Sequence, residues 1–177
     1  MRSLLSLLVF VASINSFAID EGDVRFGLMG GNVSLLGDVG SGGQNSLGVG
    51  GIFGYQILND IVFNVMYLSS DHKNINIKHT DLSVGVDYYT GGDGTVAHYV
   101  SGGAGMLSNN FTLTPNLDSS AMALYLGAGI DFQVGSNFLF GLKFKYNKAF
   151  DAKVGNIATV QDSVNVMAVA EFVLGKK

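Results

Sequence analysis

Residues 121–146, AMALYLGAGIDFQVGSNFLFGLKFKY, carry two runs of regularly alternating side chains on either side of a tight turn at residues 135–136. In the first run, large apolar residues such as Leu126 alternate with small or polar residues such as Asp131. In the second run, phenylalanine and leucine alternate with residues that include Lys143. An alternation of period two predicts β-strands with two different faces. We therefore expect a hairpin with one bulky apolar face and one small, polar or charged face.

The first residues of the chain have the pattern of a secretory signal. Arg2 supplies the positive start, residues 4–12 are apolar, and a small-residue motif ends at Ala18. The apolar segment is too short to span a membrane comfortably, and acidic residues follow it at once. We predict a cleaved signal peptide at residues 1–18 and a single mature domain at residues 19–177.

The composition favours a protein whose surface faces lipid. Hydrophobic residues make up 47% of the chain and charged residues only 14%, whereas an ordinary soluble domain carries about 25% charge. Past the signal, no apolar run approaches the ~20 residues of a membrane helix. For an exported chain of this kind, a closed barrel is the remaining way to satisfy every backbone group in lipid.

Several kinds of chemistry are disfavoured. The chain has no cysteine, so it has neither a disulfide framework nor a thiolate metal site. Without Arg2, nine basic residues face fourteen acidic ones, and this balance argues against a nucleic-acid partner. The glycine runs GSGG and GGDG lack the ending of a phosphate loop, and the three histidines are scattered. We expect no cofactor and no metal.

The alternation recurs along the chain and predicts eight strands. They lie at residues 23–36, 46–58, 61–68, 75–89, 95–107, the two halves of 121–146, and 163–174. Long polar connections are expected at residues 37–45, 69–74, 108–120 and 147–160, and the others are short turns, including one at 90–94. Short turns at one rim and long loops at the other are typical of outer-membrane barrels, whose short turns face the periplasm. This arrangement places both termini at the short-turn rim.

Four segments carry a family resemblance: LYLGAGIDF with GLKFKY, TDLSVGVDYY, YVSGGAG, and the closing VMAVAEFVL. In these segments the mature chain resembles the small eight-stranded outer-membrane barrels of the OmpA, OmpX and OmpW type. The resemblance implies an all-β, eight-stranded antiparallel up-and-down transmembrane barrel in the outer membrane. The chain departs from the family at its end, FVLGKK, where a terminal aromatic residue is usual, and in having no tryptophan.

The resemblance also implies partners. They are outer-membrane lipid and lipopolysaccharide, and the barrel assembly machinery that inserts such chains. The surface loops are candidate contacts for an external ligand or surface, and we expect a monomer.

If the apolar faces meet lipid, seven charged residues are collected inside the barrel. They are Arg25, Asp81, Asp87, Asp131, Lys143, Lys145 and Glu171. An isolated buried charge is costly and pairing is the usual remedy, so we predict an ionic network in the interior. Eight strands enclose a space that side chains can just fill. The first hypothesis is therefore a structural or surface-interaction barrel with a closed interior and no catalytic activity.

Two other functions remain open at this point. Inward glycines leave room for a narrow path, and the OmpW resemblance implies a small channel for ions or apolar solutes. These glycines are Gly48, Gly50, Gly54, Gly127, Gly129 and Gly141, and they could equally make space for long arginine and lysine side chains. Some barrels of this size modify lipid A. Here His79 and Asp81 share a strand face and, with Ser69 or Ser70, could be drawn as a catalytic triad.

Overall fold

The computed structural model describes residues 14–15, 20–37, 44–112, 118–134, 137–154, 157–158 and 161–175. Eight long strands dominate it. They are β1 (Val24–Leu36), β2 (Gln44–Leu58), β3 (Ile61–His72), β4 (Ile77–Asp93), β5 (Val96–Phe111), β6 (Asp118–Gln133), β7 (Phe138–Phe150) and β8 (Asp162–Leu174). Each strand pairs antiparallel with the next, and β8 pairs with β1. The predicted eight-stranded antiparallel up-and-down barrel is confirmed.

The closing pair joins the two ends of the chain. Val24 at the start of β1 is paired with Leu174 at the end of β8, and the register continues without a shift to Leu36 and Asp162. Both ends of the barrel domain therefore lie at the rim that carries the short turns, as the even strand count predicted.

Three smaller elements accompany the barrel. Lys153–Val154 and Ile157–Ala158 form a short antiparallel pair in the connection from β7 to β8. Residues 14 and 15 pair in parallel with residues 92 and 93 of β4. A 3-10 turn spans Lys73–Ile75 between β3 and β4. The described part of the chain contains no helix that is long and apolar enough to cross a membrane.

The observed strands extend beyond the predicted ones. Residues 69–74 were expected to be a loop, but β3 continues to His72, and only a short turn separates it from β4. Residues 90–94 were expected to be a turn, but β4 runs to Asp93 and absorbs a register shift between Tyr89 and Gly91. The reason is that apolar alternation ends where the apolar wall ends, whereas backbone pairing continues into polar sequence.

The remaining connections show the same difference. The expected loop 108–120 is shortened, because β5 ends at Phe111 and β6 begins at Asp118, and the expected loop 147–160 begins only after Phe150. The predicted turn at residues 135–136 and most of the predicted loop 37–45 lie outside the described residues.

The outer wall carries an apolar band. Outward side chains such as Leu28 and Leu126 are 75% and 71% exposed. On β3 the outward apolar residues end at Tyr67, and the outward side chains beyond it are polar. On β4 the outward apolar residues begin at Leu82. We call this zone the apolar band; the long-loop end of the barrel lies beyond it.

Inward glycines form a floor for tyrosine rings. Asn64, Gly85, Gly103 and Tyr125 are successive partners across β3, β4, β5 and β6. The Tyr125 side chain lies back across both glycines, and its hydroxyl donates to the Asn64 Oδ1 at 3.2 Å. A Cβ atom on Gly103 would lie 2.6 Å from the Tyr125 Cε1 and would also overlap the carbonyl oxygen of the facing strand. The space beside these two glycines is therefore occupied by the Tyr125 side chain.

Three of the inward glycines predicted from the sequence also lie beside larger side chains. A Cβ atom on Gly129 would overlap the Tyr99 ring, and one on Gly141 would overlap the Asp131 carboxylate. Gly54 lies beside the Arg25 side chain, whose Cδ would be 3.7 Å from an added Cβ. Each of these three makes room for a larger side chain nearby.

Two adjacent glycines offer a matched test of this packing. Gly103→Ala is expected to lower the free energy of unfolding by about 1–3 kcal/mol, the usual cost of overpacking. Gly102→Ala on the outward face is expected to change it little, because its nearest atoms would be 3.7 Å away. The measurement is the urea midpoint of unfolding, and the folded fraction is read from the mobility difference between folded and unfolded bands on a gel. Equal midpoints for the two variants would contradict the packing described here.

Candidate functional site

The interior holds three repeated groups, each made of a cation, a tyrosine ring and an aspartate. In the first group, the Arg25 Nη1 donates to the Tyr89 hydroxyl at 2.7 Å, and this hydroxyl donates to Asp131. The Arg25 guanidinium lies 5.3 Å from the centre of the Tyr89 ring and 4.0 Å from the Asp131 carboxylate. The Arg25 Nη2 also donates to Gln56.

The second group lies on the next level of the interior. The Lys143 Nζ donates to both carboxylate oxygens of Asp87, at 2.9 and 2.8 Å. The same ammonium lies 5.1 Å from the centre of the Tyr99 ring. Lys143 therefore has an ion pair on one side and an aromatic face on another.

The third group repeats this arrangement one step closer to the long-loop end. The Lys145 Nζ donates to the two oxygens of Asp81 at 2.9 and 2.8 Å, and it lies 4.5 Å from the Tyr125 ring centre. It also donates to the Ser83 hydroxyl at 2.6 Å. Asp81 accepts a further bond from the Asn147 Nδ2 at 2.9 Å. We call the three groups together the ion–tyrosine ladder.

The ladder spans the bore. Its two lysines project from β7 and their aspartates from β4, so each ion pair is a chord between strands that are three positions apart around the ring. An apolar cluster fills space beside it. The cluster consists of Met29, Val33, Ile52, Met66, Leu68, Tyr125, Met167 and Val169. Tyr125 belongs to both sets, so the polar and apolar contents of the barrel are packed against one another.

All seven charged residues singled out from the sequence lie inside the barrel. None of them is more than 6% exposed, and Lys143 is 1% exposed. Six of them form the ladder groups. Glu171 stands on β8 directly opposite Gly27, within electrostatic range of Arg25. A charge costs little at such a depth only when it is paired and hydrogen-bonded.

None of the three tyrosines of the ladder was among the predicted interior residues, although the alternation in residues 121–133 puts Tyr125 on the same face as Asp131. Tyr89 has the same parity along β4 as Asp87, and Tyr125 has the same parity along β6 as Asp131. Strand parity alone could therefore have placed these two rings inside. A cation above a desolvated tyrosine face gains roughly 0.5–2 kcal/mol, so the rings contribute to the energy of each group as well as filling space.

Of the residues drawn as a catalytic triad, His79, Ser70 and Asp81 are bonded to other partners, and Ser69 lies on the outward face of β3. The His79 Nδ1 is 2.8 Å from the Asn109 Oδ1, and the Ser70 hydroxyl is 3.0 Å from the His72 Nε2. Asp81 is held by Lys145 and Asn147, as described above. Within the described ranges, no group of three or more histidine, cysteine, aspartate or glutamate side chains is arranged to hold a metal ion.

Solved structures with the same architecture were found by structural comparison. Neisserial surface protein A (NspA) matches with a TM-score of 0.74 at 18% identity, over 86% of this chain and 99% of that chain. The attachment invasion locus protein Ail of Yersinia pestis matches at 0.57 and 16%, over 87% and 99%. The outer membrane protein OprG from Pseudomonas aeruginosa matches at 0.58 and 15%, over 92% and 100%.

Comparison of the sequence itself gave no relatives. No protein-family model matches the chain, and no curated protein matches it. At identities below 20%, the structural likenesses show the fold. At that level, the predicted likeness to the small eight-stranded outer-membrane barrels is confirmed.

The second ladder group can be tested by removing its cation. Lys143→Met leaves the Asp87 carboxylate buried without its partner and is expected to cost about 3–5 kcal/mol of unfolding free energy. The double variant Lys143→Met with Asp87→Leu removes both charges and is expected to recover most of that loss. Urea unfolding of the refolded barrel measures both values. If the single variant is as stable as the native chain, the pair does not carry the energetic weight assigned to it.

Proposed function

We propose that this chain is an integral outer-membrane barrel that is closed along its axis and has no catalytic activity. It acts as a structural element of the membrane or through the surface at its long-loop end. The observation that carries the proposal is the ion–tyrosine ladder, which fills the bore with paired charges and aromatic rings.

The distribution of side chains supports the membrane part of the proposal. Lysine and arginine are almost never fully buried unless they are paired, and here Arg25 and Lys145 are each 2% exposed and paired with carboxylates inside the barrel. The outer wall instead presents large apolar side chains around the barrel, Leu47 among them at 73% exposure. A contiguous apolar surface of this extent needs an apolar solvent. The strands have 12 to 17 residues, which exceeds the ~9–11 residues that a tilted transmembrane strand requires.

The packing of the bore supports a closed barrel over a channel. The predicted alternative, a small path for ions or apolar solutes, depended on free volume beside the inward glycines. The Tyr99 ring lies over Gly129, which is one of these glycines, and the Tyr125 ring lies over the inward Gly85 and Gly103. The ion pair from Lys143 to Asp87 also crosses the interior. An ion crossing the bore would have to displace buried charge pairs, each of which is costly to break.

The hydrogen bonding at the long-loop end supports the non-catalytic part. His79 is held by Asn109, Asp81 by Lys145, and Ser70 faces His72. A triad needs a base bonded to its nucleophile and an acid bonded to its base, and the residues proposed for that role are engaged elsewhere. This geometry favours a surface-interaction barrel over a lipid A-modifying enzyme.

The interaction part of the proposal follows from the closed interior. A barrel that neither conducts nor catalyses presents its ends and its lipid-facing wall to other molecules. Two of the similar barrels are named as a surface protein and as an attachment invasion protein; those names describe those proteins. For this chain they make an external contact the first kind of activity to test.

Conductance separates a closed barrel from a channel. The refolded mature chain, residues 19–177, is expected to be silent in a planar bilayer, because its bore is filled by the ladder. Folding is checked in the same sample by the heat-dependent shift of its gel band. Reproducible single-channel steps that change in Lys143→Ala or Glu171→Ala would overturn the closed-barrel proposal in favour of a path lined by the inner charges.

Location is tested separately. The expressed full chain is expected to sediment with outer membranes and to migrate differently on a gel before and after boiling, because a closed barrel resists detergent until it is heated. The control is a soluble periplasmic protein from the same cells, which remains in the supernatant. Recovery of the chain in that soluble fraction would contradict the membrane part of the proposal.

A further inference from the structure

Two histidines meet inside the long-loop end of the barrel. Ser70 on β3 is the direct partner of His79 on β4, and His72 is paired with Ile77. His72 and His79 are therefore diagonal neighbours on the inward face of adjacent strands, which is a distance at which long side chains meet. Their ring centres are 6.4 Å apart, with the ring planes nearly perpendicular at 84°. Both side chains are buried, at 3% and 1% exposure.

A chain of hydrogen bonds fixes the orientation of His79. An amide oxygen can only accept, so the His79 Nδ1 carries the proton that bonds to the Asn109 Oδ1 at 2.8 Å. The Asn109 Nδ2 donates in turn to the Gln161 Oε1 at 3.1 Å, and the Gln161 Nε2 donates to Ser119. The His79 Nε2 is left with a bare lone pair, and this atom is buried and has no hydrogen-bond partner.

This arrangement is the one that metal-binding histidines use. Such a histidine donates its second ring N–H to a carbonyl or carboxylate, which fixes the tautomer and aims the other nitrogen at the metal. Leaving a buried polar nitrogen unsatisfied is unfavourable, and a bound cation would remove that cost. Here the Asn109 side chain is the group that orients the His79 ring.

His72 supplies a second ring nitrogen, because its Nδ1 is buried and has no hydrogen-bond partner. A zinc–nitrogen bond of about 2.0–2.1 Å places the ring centres of two imidazoles roughly 5 Å apart on a tetrahedral ion, and roughly 6.4 Å apart when the rings approach from opposite sides. The observed 6.4 Å is this upper limit, so the two rings approach the ion from nearly opposite sides or move together when it binds. His72 is the last residue of β3 and lies beyond the apolar band.

The charges around the two rings do not oppose a cation. Asp81 lies two residues from His79 on the same strand face, and the nearby Lys145 ammonium is already neutralised by the Asp81 carboxylate. The Ser70 hydroxyl is 3.0 Å from the His72 Nε2 and adds a neutral oxygen next to the site.

We propose that His72 and His79 form a binding site for a divalent transition-metal ion of the zinc or copper class inside the long-loop end of the barrel. Water completes the coordination, and the ion ties β3 to β4 just below the turn that joins them. With two protein ligands the site is weaker than a structural zinc site with four. No sequence motif predicts this site, because the two residues come together through strand register.

The experiment measures metal binding by the refolded barrel, prepared without a polyhistidine tag. Zn²⁺ is titrated calorimetrically, and Cu²⁺ is followed by electron paramagnetic resonance, which reports the nitrogen atoms on the ion. The native chain is expected to bind one ion through two imidazole nitrogens. His79→Gln and His72→Gln are each expected to weaken binding at least 10-fold and to leave one nitrogen signal.

The third histidine of the chain provides the matched control. His98 stands near the start of β5, at the opposite end of the barrel, and His98→Gln is expected to bind the metal as the native chain does. Asn109→Ala keeps both ligands but removes the orienting bond, and we expect binding roughly 10-fold weaker. The heat-dependent gel shift is required of every variant, so that lost binding is not lost folding.

Three results would overturn the site. The native chain would show no bound Zn²⁺ or Cu²⁺ at millimolar metal, or the double variant His72→Gln/His79→Gln would bind as tightly as the native chain, or His98→Gln would abolish binding. None of these results depends on whether the barrel conducts, so the metal site and the proposed function stand or fall separately.

Discussion

The pairing of β8 with β1 is the constraint on which the rest of the structure depends. An open sheet would leave a row of unpaired N–H and C=O groups at each edge, and in lipid each of them costs several kcal/mol. The register from Val24 and Leu174 to Leu36 and Asp162 removes both edges at once. Closing the ring fixes the interior volume, and eight strands leave space for side chains and little else. That fixed volume is filled by the ion–tyrosine ladder, by the tyrosine rings packed on inward glycines, and by the apolar cluster.

In the membrane setting proposed above, the polar contacts of the barrel are inside and its apolar side chains are outside. With lipid outside, burying apolar side chains in the interior would gain less than it would in water, so the specific interactions would lie inward. Lys143 and Lys145 each contact a carboxylate and the face of a tyrosine ring. Two favourable contacts therefore offset the cost of removing each ammonium group from water. The tyrosines connect this polar column to the apolar cluster through Tyr125. The interior is thus stabilised by a few directional contacts, and removing one partner is expected to lower the free energy of unfolding strongly.

The sequence predicted most of the fold but little of the detail inside it. Alternation placed the charged side chains of Arg25, Lys143 and Glu171 inward, because parity along a strand needs only local sequence. It ended β3 too early, because polar residues beyond the apolar band still pair through their backbones. The contact of Tyr125 with Asn64 depends on register across four strands. The contact of His72 with His79 depends on the register of the β3–β4 hairpin. A single sequence specifies neither register. Connections around residues 135–136 remain sequence predictions.

The chords of the ladder have a consequence for the order in which the molecule can be assembled. Asp81 and Asp87 lie on β4, and the lysines that neutralise them lie on β7, 64 and 56 residues later. A chain that has formed only its first four strands holds these two carboxylates without their cations. Arg25 on β1 likewise has no carboxylate partner from Asp131 until β6 has joined. Half a barrel is therefore electrostatically incomplete as well as open at its edges, and charge neutrality and ring closure are reached late and together as the last strands join.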